Sequence, residues 1–285
     1  MFSILKNKTQ RLTRFSPYYF SNLRLSNGKN LTFPFNFSGL SKTPDFKQNE
    51  IFDVALEQVY ELNVKEGFKF AYKTTLEALE QKDIEFFKDI CEPRLYKEMQ
   101  RGFDSIDELG LTLEGEDLDT ENIKLSVDSF TMIYGVKHNR SDNFNESEYT
   151  KRAMNFNGLD MMIYQTKNMN PMYMMNLYPF LQIGCTFNSS ANILVKDSNG
   201  EIVAGNNSNG THRLIFEGVN ESQEGDGINH IQNLAQSMSG LFGAVGLFAN
   251  KGAMKNFIQK IFVTKDLTWK IVDIDNHLKG NPFTS

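Results

Sequence analysis

With 285 residues, 40% of them hydrophobic and 24 of them phenylalanine, the chain has enough apolar mass to bury a sizeable core. Its net charge of −5 makes non-specific attraction to nucleic acid weak for the chain as a whole, so any contact with RNA would need a local basic patch. The length could divide into two domains of about 100–200 residues each, but a single run of helices followed by strands argues for one.

The first stretch is set apart by charge. Lys6, Lys8, Arg11, Arg14, Arg24, Lys29 and Lys42 precede the first acid, Asp45. An acid-poor segment containing Arg and Ser has the character of a mitochondrial transit peptide, the alternative being a disordered basic arm. Residues 1–47 are read as that arm or presequence, and 48–285 as one domain. If the arm is retained, Phe15, Tyr18, Tyr19, Phe20, Phe33, Phe35 and Phe37 are expected to pack on neighbouring subunits, since so aromatic a segment gains little by staying in water.

Next come three helices. Phe68, Tyr72, Thr75, Leu76 and Leu79 form an apolar stripe at helical spacing, and Asp83 is suited to cap a second helix. Pro93 fits the first turn of a third, which carries Leu95, Met99, Phe103 and Ile106 on one side and ends at Gly110. The carboxylates Asp104, Asp107, Glu108, Glu114, Glu116, Asp117 and Asp119 read as a solvated connection to the first strand.

Strands follow. Residues 149–179 read only as an extended excursion between strands. Its methionines, Met154, Met161, Met162, Met169, Met172, Met174 and Met175, serve as core filler or as an adaptable partner surface. From Gln182 to Lys196 the chain alternates: Ile183, Cys185, Phe187, Ala191, Ile193 and Val195 on a dry face, Gln182, Thr186, Asn188, Ser190, Asn192 and Lys196 on a wet one. Asp197-Ser198-Asn199-Gly200 supplies turn chemistry before Glu201–Gly205 resumes the extended pattern. A strand at His212–Glu217 precedes an insertion of about residues 219–255, and the last strand, Leu267, Trp269 and Ile271 inward, places Trp269 in the core. Helices then strands make an α+β domain.

The residues Ile193-Leu194-Val195-Lys196-Asp197, Gly200-Glu201-Ile202-Val203-Ala204-Gly205 and Trp269-Lys270-Ile271-Val272-Asp273-Ile274 resemble the C-terminal domain of Tim forty-four, the import-motor anchor of the mitochondrial inner-membrane translocase. Asp83-Ile84-Glu85-Phe86-Phe87-Lys88-Asp89-Ile90-Cys91-Glu92 and Leu95-Tyr96-Lys97-Glu98-Met99 are similar to that family's helical segment, with Phe87 where its pattern has Leu. The resemblance runs over residues 65–278 and is weakest between Tyr149 and Phe180. It implies a nuclear-transport-factor-two-like cone, a curved antiparallel sheet wrapped around three N-terminal helices. Phe68, Phe86, Phe87, Met99 and Trp269 would then fill the pocket of the cone or line it around an acyl chain.

Chemistry is sparse. Cys91 and Cys185 read as core thiols. His138, His212, His230 and His277 lack metal-type spacing. Gly240, Gly243 and Gly246 lack the Gly-Lys-Ser/Thr ending of a phosphate loop. No Asp–His or Tyr–Asp constellation is placed on inward strand positions, so the chain is read as non-enzymatic, without metal or cofactor, a bound lipid being the one ligand entertained. The run Leu241–Ala249 is far short of the ~20 residues a spanning helix needs. It covers one end of the sheet or forms a docking element in which Leu241, Phe242, Leu247 and Phe248 anchor beside Lys251 and Lys255.

Function is therefore expected from the family. The import-motor anchor has a long charged helical N-terminal half, and residues 1–47 here are of a different kind. The related mitoribosomal membrane-anchoring proteins are more basic than this chain. The reading kept first is a non-catalytic accessory subunit of a mitochondrial inner-membrane assembly, such as a respiratory-chain complex. It would be peripheral on the matrix side, partnered by that assembly's subunits and touching membrane lipid, with nucleic acid not expected. A mitoribosome anchor, an import-motor component and a lipid- or small-molecule-binding enzyme-like cone are the alternatives.

Overall fold

A computed structural model of the chain describes residues 22–24, 30–40, 64–136, 149–156, 159–166, 177–205, 210–220 and 267–278. The apolar stripe folds as expected into α1 (Val64–Gln81), which buries Phe68, Tyr72, Thr75, Leu76, Ala78 and Leu79. It stops at Lys82, whose φ of 52° turns the chain so that Lys82 N and Asp83 N donate to Leu79 O and Ala78 O. Asp83 then starts α2 (Ile84–Ile90), its carboxylate accepting from Phe86 N at 3.1 Å. Glu92 caps α3 (Pro93–Glu108) by accepting from Arg94 N, with Pro93 in the first turn where a missing N–H costs nothing. Gly110, at φ 65°, closes α3 with paired bonds from Gly110 N to Asp107 O and from Leu111 N to Ile106 O. No helix among the described residues is long and apolar enough to cross a membrane.

The strands form a six-stranded sheet, a three-stranded sheet and a short two-stranded ribbon. The ribbon is β1 (Asn22–Arg24) with β2 (Asn30–Thr32). The small sheet pairs β3 (Thr112–Glu116), β8 (Asn192–Lys196) and β9 (Ile202–Ala204). Between β8 and β9 lies the expected turn, in which Asp197 accepts from Asn199 N and Glu201 N and Gly200 has φ 80°. The large sheet comprises β4 (Lys124–Val136), β5 (Tyr149–Phe156), β6 (Leu159–Thr166), β7 (Leu177–Ser189), β10 (Gly210–Asn220) and β11 (Leu267–Ile274), in the order β11-β10-β7-β4-β6-β5. The α+β class is as read from element order.

Several expectations need correction. The alternating run from Gln182 to Lys196 is two strands in two sheets, broken at Ser190–Ala191; the alternation carries on through the corner, so its pattern does not reveal the change of sheet. Its wet face is not solvated throughout, because Gln182, Thr186 and Asn192 are buried in polar contacts while Asn188 and Ser190 are exposed. The sheet is not wholly antiparallel: β4 pairs with β6 in parallel over Thr131–Tyr134. Part of 149–179 is an ordered hairpin, β5–β6, rather than an excursion.

The largest correction concerns the basic arm. Residues 30–40 lie inside the domain, with Leu31, Phe33, Phe35 and Phe37 all at most 4% exposed and part of the core, where neighbouring subunits were expected to receive Phe33, Phe35 and Phe37; Phe15, Tyr18, Tyr19 and Phe20 lie outside the described residues. Phe33 packs edge-on to Phe103 of α3 at 5.3 Å and occupies the space left by Gly102, whose added Cβ would lie 2.4 Å from the ring. Fully burying such a side chain stabilises by about 1.5–3 kcal/mol, so the four together amount to on the order of 6–12 kcal/mol. That compares with the roughly 5–15 kcal/mol net stability of a typical domain.

Candidate functional site

The first half of α1, together with α2, walls a cavity whose far side is β10 and β11. Val64, Gly67, Ala71 and Thr74 recur at helical spacing on α1, Phe86 and Ile90 come from α2, Phe216 from β10, and Trp269, Lys270 and Ile271 from β11. The cavity measures ≈ 490 Å³, within the range of small-molecule sites. Its floor is aromatic: Phe68 stacks on Phe216 with centroids 4.3 Å apart, and Trp269 stands edge-on to Phe68 at 5.2 Å. Phe70, 72% exposed, stands at the rim.

Polar groups in this wall are few and already engaged. Thr74 Oγ1 donates to Phe70 O within the helix, and Lys270 Nζ donates to the carbonyl of Asp89, which fastens β11 to α2. Glu92 N donates to Ile271 O at 2.9 Å and Cys91 bridges to Ile271, so the α2–α3 junction holds the same strand from the side. Opposite these contacts the pairing of β10 with β11 is irregular between Ile215 and Phe216, where Val272 is the extra residue. Such bulges re-aim side chains, and here Phe216 and Ile271 sit opposite one another in the wall. Chemically the cavity suits an apolar chain or ring, with one cation at its edge.

A second feature is polar and sealed. Arg213 makes a two-pronged bond to Asp128, Nε to Oδ2 and Nη2 to Oδ1, both at 2.9 Å. Thr186, Ser129 and Asn276 complete the shell around that pair. Gly184 makes room for it, since an added Cβ would lie 2.4 Å from Arg213 Nη2 and from Asp128 Oδ1. Alongside, Asp275 accepts from Asn36 N, Arg213 N and His212 Nδ1 at 2.8–2.9 Å. His212 stacks on Phe35 at 4.0 Å, and its buried Nε2 has no hydrogen-bond partner among the described residues.

The structure thus contains an Asp–His pair that the sequence reading does not place, because Asp275 lies in the turn after β11 rather than on an inward strand position. Both residues are buried, 0% and 3% exposed at the side chain, and neither lines the cavity. Burial also pushes the Tyr72 hydroxyl and the Cys91 thiol far above their ordinary values, which leaves both protonated at neutral pH.

Of the residues singled out from sequence, Phe68, Phe86 and Trp269 are brought together at the cavity, whereas Phe87 and Met99 are fully buried in the core behind it. Trp269 is partly buried, not enclosed as expected, since the cavity opens beside it. Leu241, Phe242, Leu247, Phe248, Lys251 and Lys255 lie outside the described residues, as do Met169, Met172, Met174 and Met175. The sequence reading misses Gly67, Phe70 and Ala71. A helix-breaking Gly beside Phe68 and an aromatic off the apolar stripe are the signals that point to them. No protein-family model matches the chain, and no curated protein matches it.

Proposed function

We propose that the chain is a non-catalytic binding module built as a nuclear-transport-factor-two-like cone of the Tim forty-four-like kind. In this reading it is an accessory subunit, peripheral on the matrix side of a mitochondrial inner-membrane assembly, and its cavity holds an acyl chain. The observation that carries the reading is the composition of the cavity wall: among the described residues it is aromatic and aliphatic but for Gly67 and Thr74, with Lys270 as its one charged residue. An amphiphile places its chain in such a site and its anionic head near the ammonium group. The order of three helices before the sheet supports the cone, and the acid-poor first 43 residues support the organelle.

Trp269 is the single tryptophan of the chain and lines the cavity, so its fluorescence reports occupancy without a label. Titrating the full chain with oleate is expected to shift the emission to the blue and to saturate at one molecule per chain. An emission spectrum that stays fixed while oleate rises to its solubility limit would remove the acyl-chain reading. The assembly reading is tested separately, by purifying the tagged chain from solubilised mitochondria. Co-migration with respiratory-chain subunits is expected, and co-migration with ribosomal or translocase subunits would replace it.

A further inference from the structure

By composition the acid-free stretch of residues 1–43 is uniform, and the whole of it reads alike as a removable leader or as a basic arm. The structure divides it. Leu31, Phe33, Phe35 and Phe37 all enter the core from a strap, residues 31–40, that bends at Pro34–Phe35 and turns at Phe37–Ser38. Asn36 N donates to Asp275 at 2.9 Å and Leu40 N to Thr211 O at 2.8 Å, so the strap is tied to both β10 and the turn that ends β11. Ahead of it, β1 pairs with β2 in the register Asn22–Thr32, Leu23–Leu31 and Arg24–Asn30. A cut anywhere from Asn22 to Leu40 would remove a paired strand or core side chains.

The charge is divided in the same way. Of the seven basic residues, Lys6, Lys8, Arg11 and Arg14 precede Asn22, Arg24 lies in β1, Lys29 lies between β1 and β2, and Lys42 lies beyond the strap, which itself carries no charged residue. We propose that the chain is matured by hydrolysis of a single peptide bond between Arg14 and Asn22, so that β1 and the strap stay in the mature protein. An endopeptidase that recognises basic leaders performs the step. Water supplies the hydroxyl of the leader's new carboxyl group and the proton of the new amino terminus. The proposal rests on the targeting reading given under Proposed function.

The test is the N-terminal sequence and intact mass of the full chain, tagged at its C-terminus and isolated from the cells that normally make it. A single mature form beginning between residues 15 and 22 is expected. In the Arg11→Gln/Arg14→Gln variant the precursor is expected to accumulate at least tenfold. A chain beginning at its first residues, or one beginning beyond Asn22, overturns the proposal. So does a Phe35→Ser full-length variant that melts like the wild type, because the strap would then be dispensable. Fractionation of the same cells keeps the two readings apart. A chain matured ahead of Asn22 but found outside mitochondria refutes only the location, and an uncut mitochondrial chain refutes only the maturation.

Discussion

Asp275 does more for this chain than its place in a short turn suggests. Its two oxygens accept from three donors on two other segments, the half-buried Asn36 N and the buried Arg213 N and His212 Nδ1, and its own N–H donates to Arg213 O at 2.7 Å. It does so at φ 52°, with Asn276 at φ 59° beside it, in the left-handed region that Asp and Asn tolerate better than most residues. Replacing Asp275 by Ala would leave Arg213 N and His212 Nδ1 buried and unsatisfied at about 1–3 kcal/mol each. Asp275→Ala is therefore expected to lower stability in urea by at least about 2 kcal/mol, and Asp275→Asn, which keeps one acceptor and the backbone preference, by clearly less. Two positions along, burial pushes the Asp273 carboxyl up to about 7, partly offset by the N–H groups of Leu278 and Ile274 and by Arg213. The unfolded chain releases this proton near 3.8, while the folded one keeps it until about 7. In that window the folded state binds more protons, so this group's contribution makes stability fall as pH rises, and above about 7 it is constant. Asp273→Asn keeps the acceptor for Leu278 N and removes the ionisation. Urea unfolding at pH 4 and pH 8 is expected to show the variant gaining on the wild type at the higher pH only; an equal difference at both would refute the assignment.

At the scale of elements, local chemistry is what the sequence displays. Asp83, Pro93 and Gly110 mark helix ends because a capping oxygen, a missing N–H and a positive φ act within a few residues. Asp83→Ala is expected to cost about 1 kcal/mol, read as a melting decrease of about 2–4 °C. The elements that differ from the sequence pattern depend on distant partners. The alternation from Gln182 to Lys196 gives faces correctly but not that β8 leaves the sheet of β7, and its polar face becomes buried only because Asp128, Arg213 and Glu217 arrive from β4 and β10. Phe33, Phe35 and Phe37 sit in an acid-free stretch that reads as an arm or leader, and the chain bends at Pro34–Phe35 and turns at Phe37–Ser38, so no regular period marks them as core. Alternation likewise places Trp269 on the core side without showing how deep it lies. Only partly buried, Trp269→Ala is expected to cost about 1–2 kcal/mol, against about 3–5 kcal/mol for Phe216→Ala beneath it.

At the scale of the whole molecule, one face of the large sheet meets the helices and the strap, and the cavity is a place among the described residues where that packing stays open. Gly67 is the cause that can be manipulated. It is exposed in the second turn of α1, lines the cavity, has no positive φ, and an added Cβ would meet nothing within 4 Å. A helix-interior Gly costs about 0.8–1 kcal/mol relative to Ala, so its replacement is expected to stabilise the free chain while occupying the opening. An amphiphile bound at 100 times its dissociation constant adds about 2.7 kcal/mol to the native state, which for a domain of this size raises the melting temperature by about 5–10 °C. The wild type is expected to show that rise with oleate. Gly67→Leu is expected to melt about 2 °C higher than the wild type without ligand and to gain little when oleate is added. Differential scanning calorimetry with and without oleate decides between the outcomes. If Gly67→Leu is stabilised by the ligand as much as the wild type, the occupant lies elsewhere and the space between α1, α2 and β11 is only a gap in the packing.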